Sequence, residues 1–143
     1  MSYTDSKLAI NQMVVDLLTA QGLENDTQWE NTELTDLGGR AVWASVEVNS
    51  ATPGTVTMGK GGSDRMVGFV SIMYSVPTDS GTGVVDALVE EARQMLPAGK
   101  SFTEGGTRVI VTAVGTDAGT TVDSWFVRPL NIFYRTDLVR ASF

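Results

Sequence analysis

Gly68-Phe-Val-Ser-Ile-Met-Tyr-Ser-Val-Pro77, continued by Thr78-Asp-Ser-Gly-Thr-Gly83 and Val84-Val-Asp-Ala-Leu-Val-Glu-Glu-Ala-Arg-Gln-Met-Leu96, is the stretch that decides the fold. Its first part alternates. Val70, Ile72, Tyr74 and Val76 share one face, and Phe69, Ser71, Met73 and Ser75 share the other, so both faces are partly apolar and the strand is expected to be covered on both sides. Pro77 removes a backbone donor and ends the ladder. Thr78 to Gly83 is turn chemistry, with Asp79 and the hydroxyls able to cap a following helix. From Val84 the period becomes helical, with Val85, Leu88, Ala92 and Met95 or Leu96 on one face; Pro97 and Gly99 stop it.

Outward from this unit, Leu8 to Leu18 predicts a first helix through Ile10, Met13 or Val14, and Leu17, with Gly22 as its stop. Glu24 to Gly39 has no sustained period and carries Glu24, Asp26, Glu30, Glu33 and Asp36 without a cation. It reads as an acidic connection with Trp29 packed on the body. Ala41 to Val48 alternates (Val42, Ala44, Val46 and Val48 against Trp43, Ser45 and Glu47) and should pair with Gly68 to Val76. Between these two strands, Asn49 to Arg65 is rich in Gly, Ser and Thr, with one β-like run at Thr55 to Met58. It is expected to be a functional arm or a mobile loop.

Arg108 to Val114 predicts a third strand, with Val109, Val111 and Ala113 opposite Ile110, Thr112 and Val114. Val122 to Arg135 predicts a fourth, in which Pro129 demands an edge position or a bulge. The expected fold is α+β: one domain over residues 1–143, with a four-stranded, mostly antiparallel sheet and helices packed on it.

Composition narrows the chemistry. The chain has neither cysteine nor histidine. That removes disulfides, the usual zinc ligand sets and every nucleophile that depends on a histidine partner. The net charge of −7 disfavours a duplex-binding module, because neutralising phosphates is the main sequence-independent source of such affinity. The start of the chain lacks the pattern of a signal peptide, no stretch approaches membrane-spanning length, and the expected compartment is the cytoplasm.

Four patterns invite a catalytic or nucleotide reading and fail it. Gly54-Thr-Val-Thr-Met-Gly59-Lys60-Gly61 resembles a phosphate loop but puts Gly61 where magnesium needs a hydroxyl, and no helix follows. Gly81-Thr-Gly83 lacks the remaining glycine of a dinucleotide fingerprint. Of the paired carboxylates, Glu90 with Glu91 and Asp117 with Asp123, the first are adjacent on a helix and point apart, so a charged helix face is the simpler account. Ser71, Ser75 and Ser124 have no base, since Lys7, Lys60 and Lys100 all stand in exposed-looking contexts. No catalytic residue, cofactor site or metal site is expected.

Trp43-Ala-Ser-Val-Glu-Val48, the glycine-rich loop, Gly68 to Pro77, Gly81-Thr-Gly83 with its helix, and Trp125-Phe-Val-Arg-Pro-Leu-Asn-Ile-Phe-Tyr-Arg-Thr-Asp137 together resemble the tail terminator (tail completion) proteins of long-tailed bacteriophages. The likeness is to the branch known as a phage-related domain of unknown function, and it covers most of the chain from Arg40. It implies an α+β virion protein without catalytic residues that forms a homohexameric ring, caps the tail tube and joins it to the head-side connector. Its partners would be copies of itself, the tail tube protein and the connector protein, in the tail after assembly in the host cytoplasm. DNA would pass an acidic lumen without specific binding, because like charge repels phosphate.

Within the long loop, Val56 and Met58 would gain from burial against a neighbour. Lys60 and Arg65 would pair with acids across a joint, which makes these four the expected interface residues. Two other readings stay open: another head-tail connector or tail tube subunit, and a small ligand-binding or enzymatic α+β domain.

Overall fold

The computed structural model describes residues 3–29, 41–50, 54–55, 63–78, 81–104 and 107–139. In chain order the elements are α1 (Tyr3–Ala20), β1 (Thr27–Gln28), β2 (Trp43–Ser50), β3 (Gly54–Thr55), β4 (Ser63–Pro77), α2 (Gly83–Met95), β5 (Ser101–Glu104), β6 (Thr107–Thr116), β7 (Thr120–Val122) and β8 (Trp125–Val139). The four-stranded sheet expected from the sequence is overturned. Eight strands form one sheet with the path β1-β2-β4-β8-β6-β5, while β3 adds to β4 and β7 adds to β8. The sheet curls as a half-barrel. All of its pairings are antiparallel except β1 with β2. The missed strands are two to four residues long, too short to display a period.

Local chemistry explains the long elements. The even residues of β4 that carry side chains, from Met66 to Val76, are buried, as are Leu130, Ile132, Tyr134 and Thr136 of β8. This inner face receives both helices. From α1 come Ala9, Ile10, Met13, Val14, Leu17 and Leu18, and from α2 come Val85, Val89 and Ala92. α1 closes as a Schellman turn: Gly22 sits at φ 73°, its N–H donates to Thr19 and the N–H of Leu23 donates to Leu18. The N-terminus of α2 departs from expectation. Thr82 is the N-cap residue but makes no side-chain capping bond.

One polar chain crosses the two layers. The Tyr74 hydroxyl donates to Gln21 Oε1 at 2.7 Å, and Gln21 Nε2 donates to the Leu88 carbonyl at 2.9 Å, joining β4 to the end of α1 and to α2. Burial pushes the Tyr74 hydroxyl well above the usual phenol range; the Gln21 hydrogen bond opposes that shift and nearby Glu91 adds to it. Tyr134 makes a longer link within the sheet. It stands directly opposite Gly68 and reaches past β4 to donate to the Asn49 carbonyl of β2 at 3.3 Å.

Pro129 has the edge position that its missing donor demands, as a local gap on one side of β8, while the expected alternation of the third strand is corrected. β6 pairs with β8 up to Leu130, and β7 pairs from Val127 onward, so Pro129 lies in the gap between them. Its carbonyl faces that gap, where it accepts the Thr116 hydroxyl at 2.7 Å, and the missing N–H therefore interrupts no ladder. The irregularity falls at Thr112 of β6, where the register shifts between Val111 and Ala113. Past this bulge the faces exchange: Val109 and Val111 are buried, but Ala113 is exposed and Val114 packs on the core.

Candidate interaction surface

Alternation places the odd residues of β4 and β8 on the sheet face that the helices leave alone. This corrects the expectation that the strand at Gly68–Val76 is covered on both sides. Val67 is 49% exposed, and Met73 and Phe133 are each 41% exposed. Phe69 and Phe133 are directly paired across the two strands, with ring centroids 5.7 Å apart. Phe69, Phe133 and Val67 line a groove of about 500 Å³ with Asn49, Thr112 and Arg135 around them. Toward the other end of the same face, Trp43 meets Trp125 edge-to-face at 5.9 Å and Ser75 beside Trp43 is buried.

The charge on this face is asymmetric. Arg135 is paired with Val67 on one side and Ile110 on the other. Arg108, between the buried Thr107 and Val109, points the same way and is exposed. Arg65 lies on the same side of β4 and is also exposed. The acidic positions on this face are Glu47 of β2, across from Ser71, and Asp137 of β8, the register partner of Arg65, against three arginines. The helix side has the opposite sign. Asp16, Glu24, Asp26, Asp86, Glu90 and Glu91 stand against Lys7, Arg93 and Arg128. Asp86 is paired with Arg128 across the layers, and Glu90 with Arg93 at 3.5 Å and Gln94 at 3.3 Å.

Of the four residues expected at an interface, Val56, Met58 and Lys60 lie outside the described residues, and Arg65 faces outward on β4 opposite Gly54 of β3. The expected long connection is shorter than it looked, because β2 runs to Ser50, β4 begins at Ser63 and β3 pairs with its start. The start of the phosphate-loop look-alike, Gly54-Thr55, is strand β3 rather than a turn leading into a helix. Asp117 accepts from Asn131 Nδ2 at 3.2 Å. Among the described residues no cluster of side chains suited to a metal ion occurs, and no helix is long and apolar enough to cross a membrane.

The sequence reading missed the apolar groove. Its signal was present in Val67, Phe69, Met73 and Phe133, but alternation alone does not say which side of a strand is left open.

Among curated proteins no sequence matches the chain. A solved structure bearing no functional name is 22% identical, with a TM-score of 0.71 and coverage of 96% of this chain and 97% of that one. A chain from the virion of a native gene transfer agent particle is 13% identical, with a TM-score of 0.54 and coverage of 96% and 99%. At these identities the likenesses establish the fold. The family model for phage tail terminator proteins matches residues 9–134, from the buried Ala9 of α1 to Tyr134 of β8. A match over that span shows that the chain belongs to the phage tail terminator family, whose members are structural proteins of the virion tail.

Proposed function

We propose that this protein closes the phage tail as a homohexameric ring that caps the tail tube and joins it to the head-side connector, after assembly in the host cytoplasm. The family match over residues 9–134 carries the reading. The exposed apolar face built on Phe69 and Phe133 supports it, because a contiguous apolar patch on a sheet is the usual mark of a protein–protein contact. The chain also has the fold of a component of a gene transfer agent virion. In this role the protein works by shape and surface complementarity, with no enzymatic step, cofactor or metal. DNA passes the ring without specific binding, in keeping with the net charge of −7.

Val56, Met58, Lys60 and Arg65 form a second contact in this proposal, reaching a neighbour in the ring or the tube. Replacing Met58→Ser and Lys60→Glu together should weaken assembly and leave the melting temperature unchanged.

The test is mass measurement of the full chain in solution, alone and with tail tubes, followed by imaging of the tail neck. A closed six-copy ring on the tube end is expected. Free protein that is monomeric but forms sixfold density on the tail agrees equally well. Open-ended polymers would instead make it a tube subunit, and a neck without sixfold density for this chain would overturn the ring.

A further inference from the structure

A ring needs a head-to-tail joint, in which one surface of each copy meets a different surface of the next. Two alternatives for that joint are weak here. The ends of the sheet path are β1 and β5, of two and four residues. Beyond them residues 46–50 of β2 and 112–116 of β6 have no outer partner among the described strands, and these short runs, the second starting at the register shift, offer limited backbone for adding a strand from a neighbour. Face-to-face stacking of two open sheet faces brings Arg108 and Arg135 of each copy toward the same residues of the other, and like charges at a joint disfavour it.

The same chain carries a complementary surface. Along α2, Val84, Ala87 and Glu91 are exposed and follow one another at helical spacing on one flank. Val84 is 52% exposed. Asp86 and Glu90 already have cationic partners within the protomer, whereas Glu91 has no ion pair among the described residues. Arg108 and Arg135 likewise have no ion pair among them.

The spacings agree. Val84 to Glu91 rises about 10 Å along the helix. Phe133 to Arg135 spans about 7 Å along β8, and Arg108 lies roughly as far again in the same direction on the neighbouring strand.

We propose that the open sheet face of one copy seats the exposed flank of α2 from a second copy of this chain. Val84 and Ala87 lie over Phe69 and Phe133, and Glu91 sits between Arg108 and Arg135. The assignment rests on the ring reading and names its two meeting surfaces. The joint is heterologous, the kind that builds a ring when the rotation between successive copies closes.

Charge exchange on the full-length protein tests it, with native mass spectrometry reading the ring fraction under conditions where the parent assembles. Glu91→Arg alone, and Arg108→Glu with Arg135→Glu, should each cut the ring fraction roughly tenfold or more, and combining all three should restore most of it. Phe133→Ser should cut it without charge rescue. Thermal melts of each protomer report folding, and Arg108→Glu alone, at an exposed position, stands in if Arg135→Glu lowers the melting temperature. Parent rings with variants that assemble equally well would overturn the assignment and leave the ring reading intact. Loss without rescue in folded variants would overturn the pairing of α2 with this face. Sheet-face variants that still form rings but no longer bind the tail tube would give the face to the tube protein. A parent that never forms a ring, even on tails, would overturn both readings.

Discussion

The two faces of the sheet differ in what covers them, although the same two strands supply both. On the inner face Ile72, Tyr74, Leu130, Ile132 and Tyr134 lie under two helices and are essentially inaccessible. On the outer face, one residue along in each strand, Met73 and Phe133 are 41% exposed. The inner face holds this chain together. The outer face, equally aromatic, contributes little to that and has surface left for a partner.

Substituting neighbours on β8 should break this contrast if it is wrong. Ile132→Ala should cost about 2–5 kcal/mol by removing buried methyls and leaving a cavity. Phe133→Ser should cost about 1 kcal/mol, chiefly the ring pairing with Phe69. Urea titrations of the two variants make the comparison. Equal losses would mean the outer face is a second core within one chain.

Tyr74 sharpens the inner side. Tyr74→Phe leaves Gln21 Oε1 without its donor and should cost about 1–2 kcal/mol. The folded phenol titrates above its ordinary value of 10.0 because it is buried, so the folded state holds its proton more tightly than the unfolded chain. Its stabilisation is full below pH 10 and falls as pH rises beyond that. Stability measured from pH 8 upward should therefore decline more steeply for the parent than for Tyr74→Phe above pH 10.

A smaller effect is expected where α1 is anchored. Gly22→Ala places a side chain at φ 73° and should cost about 1 kcal/mol, read as a lower melting temperature. At the rim between the layers, Asp86→Asn removes the pair with Arg128. With Asp86 half exposed, the loss should stay below about 1 kcal/mol and shrink further in high salt.

Much of the fold was legible because it is local. The helical periods of α1 and α2, the alternation of β2 and β4 and their antiparallel pairing all follow from residue spacing and from Gly22, Pro77 and Gly99. The bulge at Thr112 was not legible: a one-residue insertion exchanges Ala113 with Val114 without changing the run of apolar letters. Nor was the placement of Pro129, which depends on where two other strands happen to end. The expected interface residues were taken from the connection between two strands, and the apolar groove lies on strand residues, of which Phe69 was expected to be covered.

The sequence by itself determined what this protein lacks and what each segment can be. Without histidine or cysteine it has no disulfide, no cysteine nucleophile and no histidine-based dyad, and its glycines and prolines punctuate the elements because backbone angles are set residue by residue. Tertiary structure alone decided which side of the sheet is left open. A strand alternates in the same way whatever lies across from it, and coverage depends on where α1 and α2 dock. It also decided that Arg108 and Arg135, far apart in the chain, share one patch. Only the antiparallel pairing of β6 with β8, which sets Ile110 against Arg135, brings them to the same face.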